Sequence, residues 1–356
     1  MAEKLMKGNE AIAEAAIRAG VDFFAGYPIT PSTELLEYMS RRMPEENRVF
    51  VQGESEVASS SMIFTAAQTG ARAMTATSGP GLALMCENMG VLALARLPAV
   101  FVDVQRAASN ITPEQSDYNY VTKSPGHNGL RGLVYAPGSV QEAVDLTYMA
   151  FDKADEYMIP TYIMSDSMIG QMEEAIKLPE PRSGPRPNEG MIWPTGCEGR
   201  NRILGRNQPM PFGGEISGED ALEISRMEAY KMYRQWVDTE VMYEEYMMED
   251  AEYIIIAYGS SARICKDTIR ILRSKGIKAG LFRPITLYPF PEKQIAALRA
   301  KAILVVEMAL PPMFYDDVRL HMDRSIPHDF YARCGGNMVD EEEAAEAMLK
   351  LIKEVG

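Results

Sequence analysis

The apolar residues in the first half of the chain alternate between two spacings. Short apolar runs, typical of buried strands, are separated by longer stretches whose apolar residues recur at helical spacing. The predicted strands are 22–26, 48–52, 71–78, 99–105, 133–136 and 160–165. The predicted helices are 9–19, 32–43, 55–69, 82–95 and 139–157. This alternation predicts an α/β domain over residues 1–177, with a parallel sheet covered by helices on both faces.

The same alternation returns in the last third of the chain. The predicted strands there are 253–257, 278–282 and 302–307, and the predicted helices are 261–275, 292–300 and 341–353. We therefore expect a second, smaller α/β domain over residues 251–356. The predicted fold class is α/β, with two parallel-sheet domains.

Residues 178–250 have a different character from both domains. Residues 178–216 hold seven prolines and seven glycines in 39 positions, which predicts an irregular linker or wrapping arm. Trp193 and Phe212 within it indicate that the arm lies along a surface. Residues 219–250 carry ten acidic and three basic residues at helical spacing. This predicted helix is either solvated with one packed stripe or in contact with another subunit, and composition does not decide between them.

The charge of the chain limits its partners. Its formal net charge is −14, and such a surface repels phosphate backbones, so we expect no nucleic-acid binding. The sequence has no run of about 18 apolar residues and no basic-then-apolar start, so we expect no membrane span and a cytoplasmic location. The four cysteines lie at least 68 positions apart, which makes a zinc or iron–sulfur site within this chain improbable.

Ligands of an open parallel sheet bind outside the carboxyl ends of its strands, and the first such end is a proline-rich turn. Residues 26–32 read Gly-Tyr-Pro-Ile-Thr-Pro-Ser. Two prolines fix the backbone on either side of Thr30, which would hold its hydroxyl at the sheet edge. Ser32 or Thr33 can cap the following helix. An ordinary strand-to-helix turn is an equally weighted interpretation.

Three further strand ends carry candidate chemistry. Glu56 precedes small residues that could provide a dry setting, in which a carboxyl can exchange a proton near neutral pH, whereas Glu54 is explained by the helix dipole. The glycines of residues 78–81 could admit an anion, although a tight turn is favoured. Arg106 follows the strand 99–105 and could hold a carboxylate by two hydrogen bonds, or form an ordinary surface ion pair. For His127, simple exposure to water is favoured over substrate contact.

Five segments together resemble the α subunits of thiamine-dependent 2-oxoacid:ferredoxin oxidoreductases. They occur in the same order over nearly the whole chain, and this order is far more specific than any single segment. The last segment resembles the start of a transketolase C-terminal-like domain, and the first domain resembles a thiamine-pyrimidine-binding domain. The greatest similarity is to the branched-chain (2-ketoisovalerate) type, with the 2-oxoglutarate type next. The segments are Gly26-Tyr27-Pro28-Ile29-Thr30-Pro31-Ser32, Ser55-Glu56-Val57-Ala58, Thr77-Ser78-Gly79-Pro80-Gly81, Gln115-Ser116-Asp117-Tyr118 and Arg283-Pro284-Ile285-Thr286-Leu287-Tyr288-Pro289.

The resemblance implies a role for each matching residue. Glu56 corresponds to the glutamate that protonates N1′ of the aminopyrimidine of thiamine diphosphate, and Pro28 and Ile29 would line the pyrimidine pocket. Thr30 and Arg106 would hold the 2-oxoacid at the reactive carbon. Coenzyme A would take the acyl group, and ferredoxin would receive the electrons through iron–sulfur clusters.

The resemblance also implies partner subunits. The chain lacks the G-D-G segment and downstream asparagine that bind Mg²⁺ and diphosphate in thiamine enzymes, and it lacks the cysteines for clusters. A β subunit would supply the diphosphate site, Mg²⁺ and a [4Fe-4S] cluster, often with γ and ferredoxin-like δ subunits. We expect activity only in such a complex.

Two segments depart from the family pattern. Residues 107–113 replace a glycine-rich loop near the substrate, and residues 309–312 replace a more polar turn in the second domain. Because the 107–113 loop has no basic residue to pair with a second carboxylate, it favours a branched or aliphatic 2-oxoacid over 2-oxoglutarate. A non-catalytic nucleotide-binding or assembly subunit remains an alternative, although it would not need the Glu56 carboxyl. A stand-alone transferase is disfavoured by the missing diphosphate segment.

Overall fold

A computed structural model describes residues 3–108, 110–123, 125–189 and 219–355. Trp193, Phe212 and most of the predicted arm lie outside the described residues. The described part of the arm lies along the first domain, where Arg182 N–H donates to the Arg18 carbonyl (2.7 Å) and Arg186 forms an ion pair with Asp22 (2.7 Å).

The described residues form the following elements. The strands are β1 (Lys4–Lys7), β2 (Phe23–Gly26), β3 (Val49–Gln52), β4 (Ala73–Thr77), β5 (Ala99–Gln105), β6 (Leu133–Tyr135), β7 (Pro160–Asp166), β8 (Glu173–Ile176), β9 (Tyr243–Tyr246), β10 (Tyr253–Ala257), β11 (Ala279–Pro284), β12 (Thr286–Tyr288), β13 (Ala302–Glu307) and β14 (His328–Ala332). The helices are α1 (Gly8–Ala19), α2 (Thr33–Glu45), α3 (Glu56–Gln68), α4 (Pro80–Leu94), α5 (Tyr118–Thr122), α6 (Val140–Tyr157), α7 (Ser167–Gln171), α8 (Glu219–Thr239), α9 (Gly259–Ser274), α10 (Glu292–Ala297), α11 (Phe314–His321) and α12 (Glu341–Val355).

The larger sheet has seven strands in the order β12-β6-β7-β5-β4-β2-β3. All its pairings are parallel except that of β12 with β6. The central pair, β5 and β7, runs in continuous register from Ala99 opposite Pro160 to Gln105 opposite Asp166. The carboxyl ends of β2, β3, β4, β5 and β7 therefore meet at one edge, and the predicted parallel sheet is confirmed.

The smaller sheet has five strands in the order β14-β13-β10-β11-β9, and its edge strand corrects a prediction. The helix predicted over 219–250 is wrong beyond Thr239, where α8 ends, because Tyr243–Tyr246 forms β9, antiparallel to β11. Two long-range contacts fix this strand. Glu244 forms an ion pair with Arg283 (2.8 Å), and the Tyr243 ring stacks on Phe282 (5.2 Å between centroids). Composition alone contains no information on these partners.

Helix α8 packs one stripe of its surface on the first domain. Ala229, Tyr233 and Trp236 are buried in the apolar core beneath the helix, and Trp236 meets the Tyr157 ring edge-on at 5.1 Å. Tyr230, at the border of this stripe, is exposed. The helix therefore has a stripe that packs within this chain, which is what the interpretation as a solvated helix with one packed stripe requires.

The segment 283–288 joins the two sheets. Arg283 is buried and forms ion pairs with Glu142 of α6 (2.5 Å) and with Glu244 of β9. The carbonyl of Ile285 accepts a hydrogen bond from Ala136 N–H (2.8 Å), directly before β12 adds to the edge of the larger sheet. The second half of the chain thus contributes a strand to the first domain, and the two units interlock.

Candidate active site

The turn after β2 is held from three sides. Asn9 of α1 and Gln171 of α7 both donate side-chain hydrogen bonds to the Pro31 carbonyl, at 2.7 and 3.3 Å. The hydroxyl of Ser32 donates to the Ile29 carbonyl (2.8 Å) and does not cap α2, so the capping expected of Ser32 is wrong. The helical backbone of Ser32 turns its hydroxyl back into the turn. The result is a rigid turn that leaves Thr30 exposed at the sheet edge.

Glu56 is the first residue of α3 and directly follows the N-cap residue, Ser55. The Ser55 hydroxyl accepts from Ala58 N–H (3.2 Å), which fixes the start of the helix. Glu56 is only 7% exposed, and within the described chain no hydrogen bond to its carboxylate is found. Its neighbour Glu54 is exposed. The burial and the free carboxylate make Glu56 suitable for proton exchange with a ligand.

Gly81, in the first turn of α4, makes room for the Glu56 side chain. A methyl group placed on Gly81 would lie 2.8 Å from Glu56 Oε1 and 2.1 Å from Thr77 Oγ1. Both distances are shorter than a real contact allows. The glycine at this position therefore lets the Glu56 carboxylate sit directly beside the carboxyl end of β4.

Arg106 lies beside Gly79, at the same helix start. A methyl group on Gly79, whose φ is +42°, would lie 3.7 Å from Arg106 Cγ. In the part of the chain that the structure describes, Arg106 Nε, Thr77 Oγ1 and Ser78 Oγ are buried without a hydrogen-bond partner. Buried polar atoms are usually paired, so this cluster at the ends of β4 and β5 marks a place where a polar ligand would complete the hydrogen bonds.

The structure also places two aspartates here that sequence reasoning missed. Asp103 and Asp117 both lie against Gly79, since Gly79 N–H donates to Asp103 Oδ1 (3.3 Å) and a methyl group on Gly79 would lie 3.8 Å from Asp117 Oδ2. Burial, and then the neighbouring Asp117 charge, raise the pKa of Asp103 well above its usual range. Burial raises the pKa of Asp117 to about 6, against the opposing effects of the neighbouring Asp103 carboxyl and of the Arg106 charge. A single acid within the apolar run of β5 is the sequence signal that could have revealed Asp103.

Gln115 joins the segment that carries Asp117 to the second domain by hydrogen bonds. Gln115 N–H donates to the Met308 carbonyl (2.7 Å), and Met308 N–H donates to Gln115 Oε1 (2.9 Å). The Ser261 hydroxyl donates to the same oxygen (2.8 Å), and Gln115 Nε2 donates to the Tyr258 carbonyl (3.2 Å). Every polar atom of the Gln115 side chain is thereby paired with the second domain.

The loop after Arg106 closes on itself and touches the second domain. Ala107 N–H donates to the Thr112 carbonyl (2.9 Å), and Asn110 Nδ2 donates to the Gly335 carbonyl (3.2 Å). His127 is exposed, and its Nδ1 lies 2.9 Å from Glu87 Oε2.

The predicted residues are therefore brought to one edge of the sheet, on separate strand ends. Glu56 lies beside Gly81, Arg106 lies beside Gly79, and Thr30 lies on the turn after β2. In the described part of the chain, no hydrogen bond or ion pair joins these three residues. Across the described ranges, no cluster of three or more His, Cys, Asp or Glu side chains suits a metal ion. No described helix is both long enough and apolar enough to cross a bilayer.

Two family models match successive parts of the chain. Residues 14–243 match the pyruvate flavodoxin/ferredoxin oxidoreductase thiamine-diphosphate-binding domain. Residues 251–344 match core domain II of pyruvate:ferredoxin oxidoreductase. Together the two models account for both sheets of the structure.

Two relatives are similar to this chain over nearly the whole length of both proteins. The chain is 40% identical to ketoisovalerate oxidoreductase subunit VorB of Methanothermobacter marburgensis, covering 100% of this chain and 98% of the relative. It is 35% identical to 2-oxoglutarate synthase subunit KorA of Methanocaldococcus jannaschii, covering 98% of this chain and 100% of the relative.

Solved structures show the same fold. The 2-oxoglutarate:ferredoxin oxidoreductase of Magnetococcus marinus, solved with 2-oxoglutarate, coenzyme A and succinyl-CoA bound, superposes with a TM-score of 0.88 at 26% identity. That match covers 98% of this chain and 65% of the longer Magnetococcus chain. An inactive split-gene transketolase tetramer, 12% identical with a TM-score of 0.59, shares the fold alone. The chain belongs to the 2-oxoacid:ferredoxin oxidoreductases, as a subunit with a thiamine-diphosphate-binding domain and a core domain II.

Proposed function

We propose that this chain is the α-type subunit of a complex that oxidatively decarboxylates a branched-chain 2-oxoacid such as 2-ketoisovalerate. Coenzyme A accepts the acyl group, CO₂ leaves, and ferredoxin takes the electrons. The observation that carries the proposal is the arrangement around the Gly79–Gly81 turn. A buried carboxyl, Glu56, lies beside Gly81, and a half-buried guanidinium, Arg106, follows β5 beside Gly79. Among the described residues, Arg106 Nε is without a hydrogen-bond partner.

The residues on this sheet edge fit thiamine diphosphate. A nearly buried carboxylate with a free face, Glu56, suits hydrogen bonding to N1′ of an aminopyrimidine, and the rigid Pro28–Ile29 turn suits an apolar ring wall. When bound, thiamine diphosphate supplies the nucleophilic carbon for attack on the 2-oxoacid carbonyl and accepts the electron pair left by CO₂. Glu56 would hold and exchange the proton at N1′.

Thr30 and Arg106 would bind the 2-oxoacid itself. The planar guanidinium of Arg106 suits two parallel hydrogen bonds to a carboxylate, and the buried Nε without a partner is one such donor. The exposed Thr30 hydroxyl, on a turn held by Asn9 and Gln171, would support the same substrate. These two residues therefore orient the carbonyl for attack and exclude water from it.

The loop 107–113 supports a branched or aliphatic substrate side chain. It contains no basic residue, and the nearby His127 already faces the Glu87 carboxylate. Because 2-oxoglutarate carries a second carboxylate that needs a cation, the loop disfavours it. The 35% identity to a 2-oxoglutarate synthase subunit supports the alternative substrate, and the assay below includes both.

The remaining parts of the reaction belong to partner subunits in this proposal. The chain has no G-D-G segment for Mg²⁺ and diphosphate and only four scattered cysteines. A β subunit would therefore hold the diphosphate, the Mg²⁺ and a [4Fe-4S] cluster. A γ subunit and a ferredoxin-like δ subunit would complete the complex.

The test is turnover by the chain assembled with its partner subunits. Reduction of methyl viologen is measured with coenzyme A and, in turn, 2-ketoisovalerate, pyruvate or 2-oxoglutarate. Glu56→Gln should lower kcat by about 10²–10⁴-fold, the usual cost of losing a positioned acid–base group, because an amide cannot exchange the proton at N1′.

Glu54→Gln is the matched control, since Glu54 is an exposed carboxylate two residues away. It should assemble and turn over like the wild type. A near-normal rate for Glu56→Gln would refute the role of Glu56, and a strong preference for 2-oxoglutarate would refute the substrate assignment. A wild-type complex that oxidises no 2-oxoacid would favour the non-catalytic alternative.

A further inference from the structure

Two buried carboxyl groups lie side by side next to the proposed substrate arginine. Asp103 of β5 is 1% exposed, and Asp117, directly before α5, is 5% exposed. Their carboxyl groups both lie against Gly79. Among the described residues, neither Asp103 Oδ2 nor Asp117 Oδ2 has a hydrogen-bond partner. Two buried carboxyl groups at one place repel each other when both are ionised, so a state in which one of them keeps its proton is favoured.

The pair meets Arg106 at Gly79. A methyl group on Gly79 would lie 3.8 Å from Asp117 Oδ2 and 3.7 Å from Arg106 Cγ. The same glycine donates its N–H to Asp103 Oδ1. The Arg106 charge therefore acts on Asp117, although the two groups form no ion pair in the described structure, and Arg106 Nε has no hydrogen-bond partner among the described residues.

We propose that Asp103 and Asp117 share one proton and act as positioning residues that control how strongly Arg106 holds the substrate carboxylate. The proposal rests on the proposed function, in which Arg106 binds the 2-oxoacid. With one proton the pair carries one negative charge, which offsets the charge of Arg106. With two protons the pair is neutral, and Arg106 presents its full positive charge to the substrate.

This arrangement makes substrate binding depend on pH. Since the pKa of Asp117 is raised to about 6, the second proton leaves the pair as the pH rises through about 6. Ionised Asp117 then competes with the substrate carboxylate for Arg106. Binding of the anionic substrate favours the protonated pair, so the KM for a 2-oxoacid rises with pH.

Four other groups surround the pair and are part of the same electrostatic balance. Glu114 lies on the same loop and raises the pKa of Asp117. The charges of the two aspartates also act on Cys86 of α4 and on Tyr258, which follows β10. Burial keeps both of these groups protonated. Glu56 packs against Gly81, two residues along the chain from Gly79.

The test measures the KM for 2-ketoisovalerate with the assembled complex on either side of about pH 6. We expect the wild-type KM to rise by about three- to tenfold across this range, the effect of one unit charge at short range in a partly screened site. Asp117→Asn keeps the shape and can donate a hydrogen bond to Asp103, but it cannot titrate. Its KM should therefore be independent of pH.

Asp267→Asn is the matched control, because Asp267 lies exposed on α9 and pairs only with Arg270 among the described residues. It should keep the wild-type rise in KM. If Asp117→Asn also keeps that rise, the proposal is overturned.

Infrared spectroscopy tests the shared proton without turnover. Above about pH 6, the wild-type complex should show the C=O stretch of a protonated carboxylic acid that Asp103→Asn removes. A spectrum unchanged by Asp103→Asn would overturn the proposal even if Asp117→Asn fails to assemble. A wild-type complex that shows this band but oxidises no 2-oxoacid would overturn the proposed function and leave the shared proton established.

Discussion

Replacing Gly81 by alanine tests whether the position of the Glu56 carboxylate matters. The added methyl group would lie 2.8 Å from Glu56 Oε1 and 2.1 Å from Thr77 Oγ1. These separations are 0.6 and 1.3 Å short of an ordinary contact of 3.4 Å. Glu56 is the more mobile neighbour, because the backbone of β4 holds Thr77, so we expect Glu56 to be displaced.

The expected change in the free energy of unfolding combines two opposing effects, and the expected change in kcat follows from the displacement of Glu56. Overpacking a core costs about 1–3 kcal/mol, while Gly→Ala in a helix gains about 1 kcal/mol. The free energy of unfolding should therefore fall by about 0–2 kcal/mol. A carboxylate displaced by about 1 Å is expected to lower kcat by about 10²-fold.

A second substitution separates the two effects. Thr77 Oγ1 has no hydrogen-bond partner among the described residues, so Thr77→Ala relieves the shorter overlap at little polar cost. The double variant should recover stability, measured by chemical denaturation. It should stay impaired in 2-oxoacid-dependent methyl viologen reduction, because the overlap with Glu56 remains.

The control is a second glycine in the same helix. A methyl group on Gly90 would lie 2.6 Å from the Pro125 carbonyl oxygen, well away from Glu56. Gly90→Ala should lose stability to a similar extent while the assembled complex keeps its kcat. Normal turnover by Gly81→Ala, or equal losses of kcat in both variants, would refute the argument that Gly81 makes room for a catalytic carboxylate.

Two further predictions concern Arg106 and Gln115. Arg106→Lys keeps the charge but loses the planar two-point contact, so kcat/KM should fall for every 2-oxoacid. The fall should correspond to a loss of about 1.5–3 kcal/mol in transition-state stabilisation, the value of a hydrogen bond to a charged group. A defect confined to one substrate would instead mean that Arg106 contacts the substrate side chain. Gln115→Ala should lower the free energy of unfolding by about 1–3 kcal/mol for each buried group left unpaired. Gln235→Ala, at an exposed position, is the control and should leave the free energy of unfolding unchanged. Equal stabilities of the two variants would contradict the stabilising role of the Gln115 hydrogen bonds.

The strands in the centres of the two sheets could be predicted from the sequence alone. The predicted bounds of β5 (Ala99–Gln105), β10 (Tyr253–Ala257) and β13 (Ala302–Glu307) match the structure. These strands are covered on both faces, so their sequences are continuous apolar runs bounded by polar residues. The local pattern contained the information because burial on both sides leaves little choice of residue.

Three edge strands, β9, β12 and β14, could not be predicted in the same way, whereas the edge strand β3 lies within the predicted strand 48–52. The three strands are short or carry charged residues, and each exists through hydrogen bonds to a neighbouring strand. β12 pairs with a strand more than 100 residues earlier in the chain. Such elements depend on tertiary contacts, which override local propensity and cannot be read from a window of sequence.

The candidate site divides in the same way. Residues that follow a strand, such as Glu56 and Arg106, could be selected because the ligand edge of a parallel sheet is known in advance. Asp103 was missed, because it lies within the strand and not at its end, and Asp117 comes from a separate loop. The contact of Gly81 with Glu56 also joins two different helices and has no counterpart in a local pattern.

The second domain and the site form one cooperative unit because of the residues between them. Gln115 has all its side-chain polar atoms paired with the second domain, and Asp117 lies two residues further along, against Asp103. Separating the domains would leave buried polar groups unpaired at Gln115 and, at the same time, release the carboxyl beside Arg106. We therefore expect the geometry of Arg106, the proposed substrate arginine, to depend on the docking of a domain that contributes no proposed catalytic residue. Such a dependence gives a physical reason for the similarity to the relatives to extend over both domains of this chain.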